Sequence, residues 1–289
     1  IAAAKIIQEK KIAQPVLVSG KDIPGVNTIN PSTVGDIDNL IQELIKITGF
    51  SPEVSQKIVL HPLYFSALAL KLGYVDSLIA GCVFTSGEVI AIAKQIIGLK
   101  KEISVPSSFF LMDIPNYQGG EQGKLIFADA SVNIDPTPEE LADIAITTAS
   151  TASELFNWEP RVALLSFSTQ GSASHSLVDK VVKAVNLAQA KAPQIALAGE
   201  LQADAALRED VAKRKMKEVG RVGGRANILI FPDLNAANIS YKLVNILAQA
   251  QALGPILQGF NKPLSDLSRG VKVEEIINIA SILIKGLKS

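Results

Sequence analysis

A single cysteine, Cys82, stands among 289 residues. No internal disulfide framework can form, and a reducing compartment, the cytoplasm, is implied. Only two histidines are present, His61 and His175, too few for a histidine-rich metal centre, and no metal site is expected. Charge of neither sign is in excess: Lys plus Arg number 28, as do Asp plus Glu. Nothing in that balance draws in nucleic acid or an anionic membrane surface. No apolar run reaches the roughly 18–20 residues that span a bilayer. No secretory leader is visible in the sequence, and it shows no internal repeat or low-complexity tract. Its first residue is Ile1 rather than Met, and residues upstream are expected to be absent.

What the chain does carry is apolar bulk. It is 48% hydrophobic and 19% charged, with a mean hydropathy of +0.28, which requires a large buried core and excludes disorder. The length suits two domains or one large one. Helical periodicity predicts helices over 1–11, 37–48, 62–72, 88–98, 138–156, 177–191, 238–253 and 273–287. Short apolar runs predict strands over 15–20, 77–81, 107–112, 124–128, 161–167, 194–198, 227–231 and 255–258. Such alternation predicts an α/β fold with parallel sheets covered by helices on both faces. Ligands of these folds bind beyond the carboxyl ends of the strands.

The most informative stretch is GPILQGFNKPLSDLSRG, Gly254 to Gly270. Arg269 stays charged at any working pH, and its planar fork suits phosphate oxygens. Ser268 is a hydroxyl donor. Glu275 follows in the first turn of a helix, where the dipole alone would also favour an acid. Anion clamp, donor and candidate base within eight residues point to chemistry on a phosphorylated carbonyl compound. The strand at 161–167 leads into Ser168, Thr169, Gln170, Gly171 and Ser172, small residues that let backbone N–H groups approach a phosphate. The alternative is a polar turn with Ser174 or Ser176 as N-cap. Asp233, Asn235 and Asn238 follow the strand at 227–231, as ligand readers or as a capping cluster. Asp129 ends another strand, likewise as a ligand reader or only as a turn cap. The segment 199–204 reads as a solvated loop. Cys82 reads as a core residue.

Five spaced segments, FADASVNIDPTPEELADIA, PRVALLSFSTQGSA, GELQADAA, RANILIFPDLNAANISYKL and GPILQGFNKPLSDLSRG, resemble the phosphate acetyltransferase (phosphotransacetylase) family. LSFS and EII also resemble its ethanolamine-utilisation branch. The resemblance implies two α/β domains with mainly parallel sheets flanked by helices and an active-site cleft between them, of isocitrate dehydrogenase-like type. The domains would be 1–101 plus 258–289, lacking the family's first strand, and 102–257. It implies an acyltransferase that interconverts acyl-CoA plus phosphate with acyl phosphate plus CoA in acetate metabolism. Coenzyme A would be a substrate, with no permanently bound cofactor, and the assembly a homodimer. Arg269 would hold the phosphate, Ser268 the carbonyl oxygen, and Glu275, where many members have aspartate, would take the thiol proton. Ser168, Thr169 and Ser172 would line the acyl-phosphate site.

The sequence also departs from the family. Gln170 replaces a common lysine, and Ile45, Ala91 and Ile246 stand where family members often carry arginines that contact CoA phosphates or the acyl phosphate. A hydrogen bond to a charged group contributes about 1.5–3 kcal/mol. Each loss therefore predicts weaker binding or rate unless Lys46, Lys94 or Arg225 substitutes. A relative that binds acyl-CoA or acyl phosphate in a regulatory or structural role, with little turnover, is the alternative reading.

Overall fold

The structure is a computed structural model that describes residues 1–35, 37–268 and 270–287. The chain forms two compact units, one of Ile1–Lys100 with Phe260–Ser289, the other of Lys101–Gly259. In chain order the elements are α1 (Ala2–Glu9), β1 (Val16–Val18), β2 (Asn27–Ile29), α2 (Asp38–Thr48), α3 (Pro52–Ile58), α4 (Pro62–Leu72), β3 (Leu78–Ala80) and α5 (Ser86–Ile96). The second unit contributes β4 (Ser107–Asp113), β5 (Lys124–Ala128), α6 (Pro138–Phe156), β6 (Arg161–Leu165), α7 (Ser176–Lys191), β7 (Ala196–Leu201), α8 (Ala203–Leu207), α9 (Glu209–Lys215), β8 (Ile228–Ile230), α10 (Leu234–Leu247) and β9 (Gln251–Gln258). The chain then returns to the first unit with β10 (Leu264–Asp266) and α11 (Val273–Gly286).

In the first unit β1 pairs with β2, and β10 with β3, both in parallel. The helices begin and end where local chemistry dictates. In α4, Pro62 occupies the first turn, where its missing N–H costs nothing. Gly73, at φ +79°, closes that helix in the left-handed conformation. Thr85 and Glu88 form a reciprocal capping box at the start of α5. Leu40, Ile41 and Leu44 are buried along one face of α2, and α1 packs against α11.

The second unit holds six strands in the order β9-β4-β5-β8-β6-β7. β5, β8, β6 and β7 run parallel to one another, as the sequence pattern predicts. β4 departs from that expectation and is antiparallel to both β5 and β9. The link 114–123 is too short for the dozen or more residues of a parallel crossover. It folds back instead through Gly120 and Gly123, both at positive φ. α6 occupies the range its sequence predicts, opened by a Thr137/Glu140 capping box and stopped by Asn157 at φ +55°. α10 is displaced toward the N-terminus relative to the expected 238–253. Asp233 caps its start, Gln249 at φ +52° breaks the chain beyond its end, and Asn245 Nδ2 donates to the Ala250 carbonyl at 2.6 Å. The residues after that break join β9.

Aromatic contacts knit this unit's core, with Phe110 stacked on Tyr241 and Phe127 tilted against Phe231. Burial pushes the Asp143 carboxyl upward in pKa. Lys191, at 2.7 Å, and the Ser104 hydroxyl outweigh that and hold it below the ordinary carboxylate range. That pair fastens α6 to the end of α7.

Candidate active site

Four loops of the second unit leave the carboxyl ends of the parallel strands β5, β6, β7 and β8, where ligands of such sheets bind. The loop after β6 is held by a network of hydrogen bonds. Ser168 and Thr169 are buried, at 0% and 3% exposure. Glu200, from the neighbouring strand β7, accepts from the Ser168 hydroxyl at 2.8 Å and from the Gly171 N–H at 2.7 Å. The Thr169 N–H donates to Ser172 Oγ at 3.0 Å, and the Thr169 hydroxyl meets Gln202. Gly171 has φ +83°, a conformation that favours glycine. The small residues thus let the loop fold tightly onto β7, and its inner donors are engaged within the protein.

Glu200 corrects the expectation of a solvated loop at 199–204. It is only 3% exposed and belongs to β7, and the chain turns outward only after Gln202. His175 rather than Ser174 or Ser176 caps α7, its Nδ1 accepting from the Leu177 N–H at 3.1 Å. Gln170, where the family resemblance places a lysine, spans to the backbone of Lys217 and Glu218 at 2.7 and 3.3 Å. It therefore serves as a brace for the loop.

In the loop after β8, Asp233 caps α10 by accepting from the Ala236 N–H at 2.8 Å, one of the two roles left open by the sequence. Asn235 is exposed and Asn238 half-buried. Asn238 bonds the Tyr241 hydroxyl, whose pKa burial raises and this bond partly restores. Sequence reading missed Lys180, which bridges the loops after β5 and β8 by donating to Asp135 Oδ1 at 2.7 Å and to the Pro232 carbonyl at 2.8 Å. An isolated lysine on a helix carries no sequence signal for such a bridge.

In the first unit, Ser268 is exposed just beyond β10. Arg269 lies outside the described residues. Glu275 sits in the first turn of α11, and its Oε2 accepts from the Lys272 N–H at 2.9 Å. The carboxylate therefore already stabilises the helix start. Beside Ser268, Asp266 is 2% exposed and accepts from the Ser86 hydroxyl. Burial pushes its pKa above the ordinary carboxylate range, while the Ser86 hydroxyl draws it back in part. Cys82, expected in the core, is exposed, because β3 ends at Ala80 and the cysteine falls on the turn beyond it.

Two of the cations that could replace missing arginines are already engaged. Lys46 pairs with Glu43 at 3.7 Å with its side chain 79% exposed. Arg225 pairs with Glu209 at 3.0 Å, and its carbonyl accepts from Arg161 Nε at the start of β6. The five residues of β6 separate it by about 16 Å from the loop at that strand's other end. Among the described residues no cluster of three or more His, Cys, Asp or Glu side chains is placed to hold a metal ion. No described helix is long and apolar enough to cross a membrane.

Known proteins share both the sequence and this architecture. A phosphate acetyltransferase of Clostridium acetobutylicum is 46% identical over 299 residues, spanning 98% of this chain and 89% of that protein. A phosphotransacetylase structure from Streptococcus pyogenes superposes with a TM-score of 0.90 at 36% identity, covering 99% of this chain and 90% of that one. The EutD phosphotransacetylase from Staphylococcus aureus gives 0.83 at 34% identity, covering 97% and 82%. The sequence model of the family described as "Phosphate acetyl/butaryl transferase" matches residues 1–284, and with these relatives it establishes that the chain belongs to that family.

Proposed function

We propose that this chain transfers an acetyl group between CoA and phosphate. As a member of its family it is an acyltransferase, interconverting acyl-CoA plus phosphate with acyl phosphate plus CoA. The observation that carries the acetyl reading is the 46% identity to a phosphate acetyltransferase along nearly the whole chain.

In this reading Arg269 grips the phosphate of acetyl phosphate, and Ser268 donates to the carbonyl oxygen as negative charge develops there. Glu275 takes the proton of the CoA thiol. A free thiol of pKa about 8.5 is mostly protonated at neutral pH, so a base promotes the attack. Sulfur adds to the carbonyl carbon, and collapse of the tetrahedral adduct expels phosphate, leaving acetyl-CoA. Glu275 caps α11 with one oxygen, so cap and base are roles of a single side chain. Within the second unit, Ser168, Thr169, Gly171, Ser172, Asp233, Asn235 and Asn238 are the substrate-binding residues of this reading. CoA is a substrate, and the reaction needs no resident cofactor. With one cysteine, and that one exposed, the chain suits a reducing cytoplasm.

Mixing acetyl phosphate and CoA with the protein should generate thioester absorbance that depends on both. Tight acetyl-CoA binding without turnover would overturn this reading in favour of a regulatory or structural role.

We further propose a homodimer. Ile239, Leu243, Ile246 and Leu247 are 58%, 51%, 71% and 78% exposed on α10, spaced so that they form one apolar helical stripe. Such a stripe is costly in water and suits a second copy of itself. Light scattering should give twice the chain mass for the native protein and a single chain mass for Ile246→Glu/Leu247→Glu. A monomeric native protein would refute the assignment.

A further inference from the structure

Asp266 combines three features that stability alone does not account for. Its carboxyl is almost fully buried, yet Oδ1 has no hydrogen-bond partner among the described residues. A leucine there would avoid that desolvation cost. Its Oδ2 accepts from the hydroxyl of Ser86, the first residue of α5. The backbone around it is also tightly fitted. Asp266 pairs with Ala80 in the parallel ladder, and the Leu267 N–H donates to the Ala80 carbonyl at 2.7 Å. Gly81, at φ +108°, leaves the strand against this surface. A Cβ on it would collide with Asp266 Oδ1 and with the nitrogen and oxygen of Leu267.

We infer that Asp266 is a positioning residue for the acyl-transfer reaction: its carboxyl ties the start of α5 to the end of β10 and thereby fixes the strand exit that leads into Ser268 and Arg269. This rests on the proposed roles of those two residues. β10 is only three residues long and ends at Asp266, so Ser268 lies two residues beyond its last paired position. Tethering the exit to the capped end of an 11-residue helix restrains it. A donor that is to meet an oxyanion must hold its place, because a displacement of about 1 Å can cost about 100-fold in rate.

The tie should be visible as a loss in kcat rather than in substrate affinity, since it acts through residues engaged in the transition state. Steady-state kinetics with acetyl phosphate and CoA, with melting temperatures recorded alongside, would compare Asp266→Ala, Asp266→Asn and Ser86→Ala with the native chain. Asp266→Ala should lower kcat about 100-fold, with both KM values within about threefold of native. Asp266→Asn keeps an acceptor oxygen for Ser86 and should retain kcat within about tenfold. Ser86 is exposed, so Ser86→Ala should fold normally and still lower kcat about tenfold.

Native kcat in either alanine variant, a rise in KM alone, or an asparagine variant no better than alanine would overturn the inference. Those outcomes, with an active native chain, would leave the acetyl-transfer reading standing. An inactive native chain would overturn that reading and this inference with it.

Discussion

Arg269→Ala is expected to lower kcat/KM for acetyl phosphate by about 10²–10³-fold, the usual scale for removing one preorganised group that stabilises transition-state charge. The effect should be large because the sequence offers few replacements. Ile45, Ala91 and Ile246 stand where arginine companions are common in the resemblance to the family, so the site has fewer positive charges to share the load. Lys46 is solvent-exposed and paired with Glu43, and Arg225 is held by Glu209 at the other end of β6 from the loop. Arg269→Lys should recover only part of the loss, since it keeps the charge but not the planar fork that engages two phosphate oxygens. Steady-state rates with acetyl phosphate varied at saturating CoA would settle it. An alanine variant within about threefold of native would remove Arg269 from the mechanism, because so small a change is below the contribution of one charged hydrogen bond.

Much of this molecule is legible in its sequence because local chemistry sets local structure. Pro138 with the Thr137/Glu140 box starts α6, and Asn157 stops it, all within short sequence distance. Gly73 ends α4 for the same kind of reason. The misreadings concern interactions between segments far apart in the chain. Glu200 looks like one acid in a polar loop, and only its pairing with Ser168 and Gly171 shows it as a buried brace. β10 is three residues long, and its partner β3 lies far upstream, so no periodicity announces it. The antiparallel course of β4 depends on its β9 partner near the end of the second unit. At the candidate site the chemistry of SRG is readable from residue types, whereas the residues that hold the site in place, Asp266 and Ser86 among them, are separated by 180 positions. Hydrogen bonds of that range leave no pattern in a single sequence.

Asp129 illustrates the same gap at its largest energetic scale. It reads as a turn cap and does cap the turn at 131–133, but it is 3% exposed and also accepts from Ser108 in β4, so it joins two segments. Its Oδ1 accepts from the Ser108 N–H at 3.0 Å and hydroxyl at 2.5 Å, and from the N–H groups of Ser131 and Val132 at 3.2 and 3.3 Å. Its Oδ2 accepts from the Asn133 N–H at 2.8 Å and side-chain amide at 2.5 Å. Every one of these partners is a donor, so the site requires a group that only accepts. Asp129→Ala strands several of them away from water and should destabilise the second unit by about 3–5 kcal/mol, the upper range of single substitutions. Asp129→Asn preserves the shape but turns one acceptor into an NH₂ group. That group would face the Asn133 donors, or the Ser108 donors if the amide flips. It should fall between native and alanine, at about 2–3 kcal/mol. Urea denaturation would measure both as shifts in midpoint at unchanged slope. Against domain stabilities of about 5–15 kcal/mol, that loss removes a large share of the total. An alanine midpoint equivalent to less than about 1 kcal/mol would show that water replaces the carboxylate at this junction without loss.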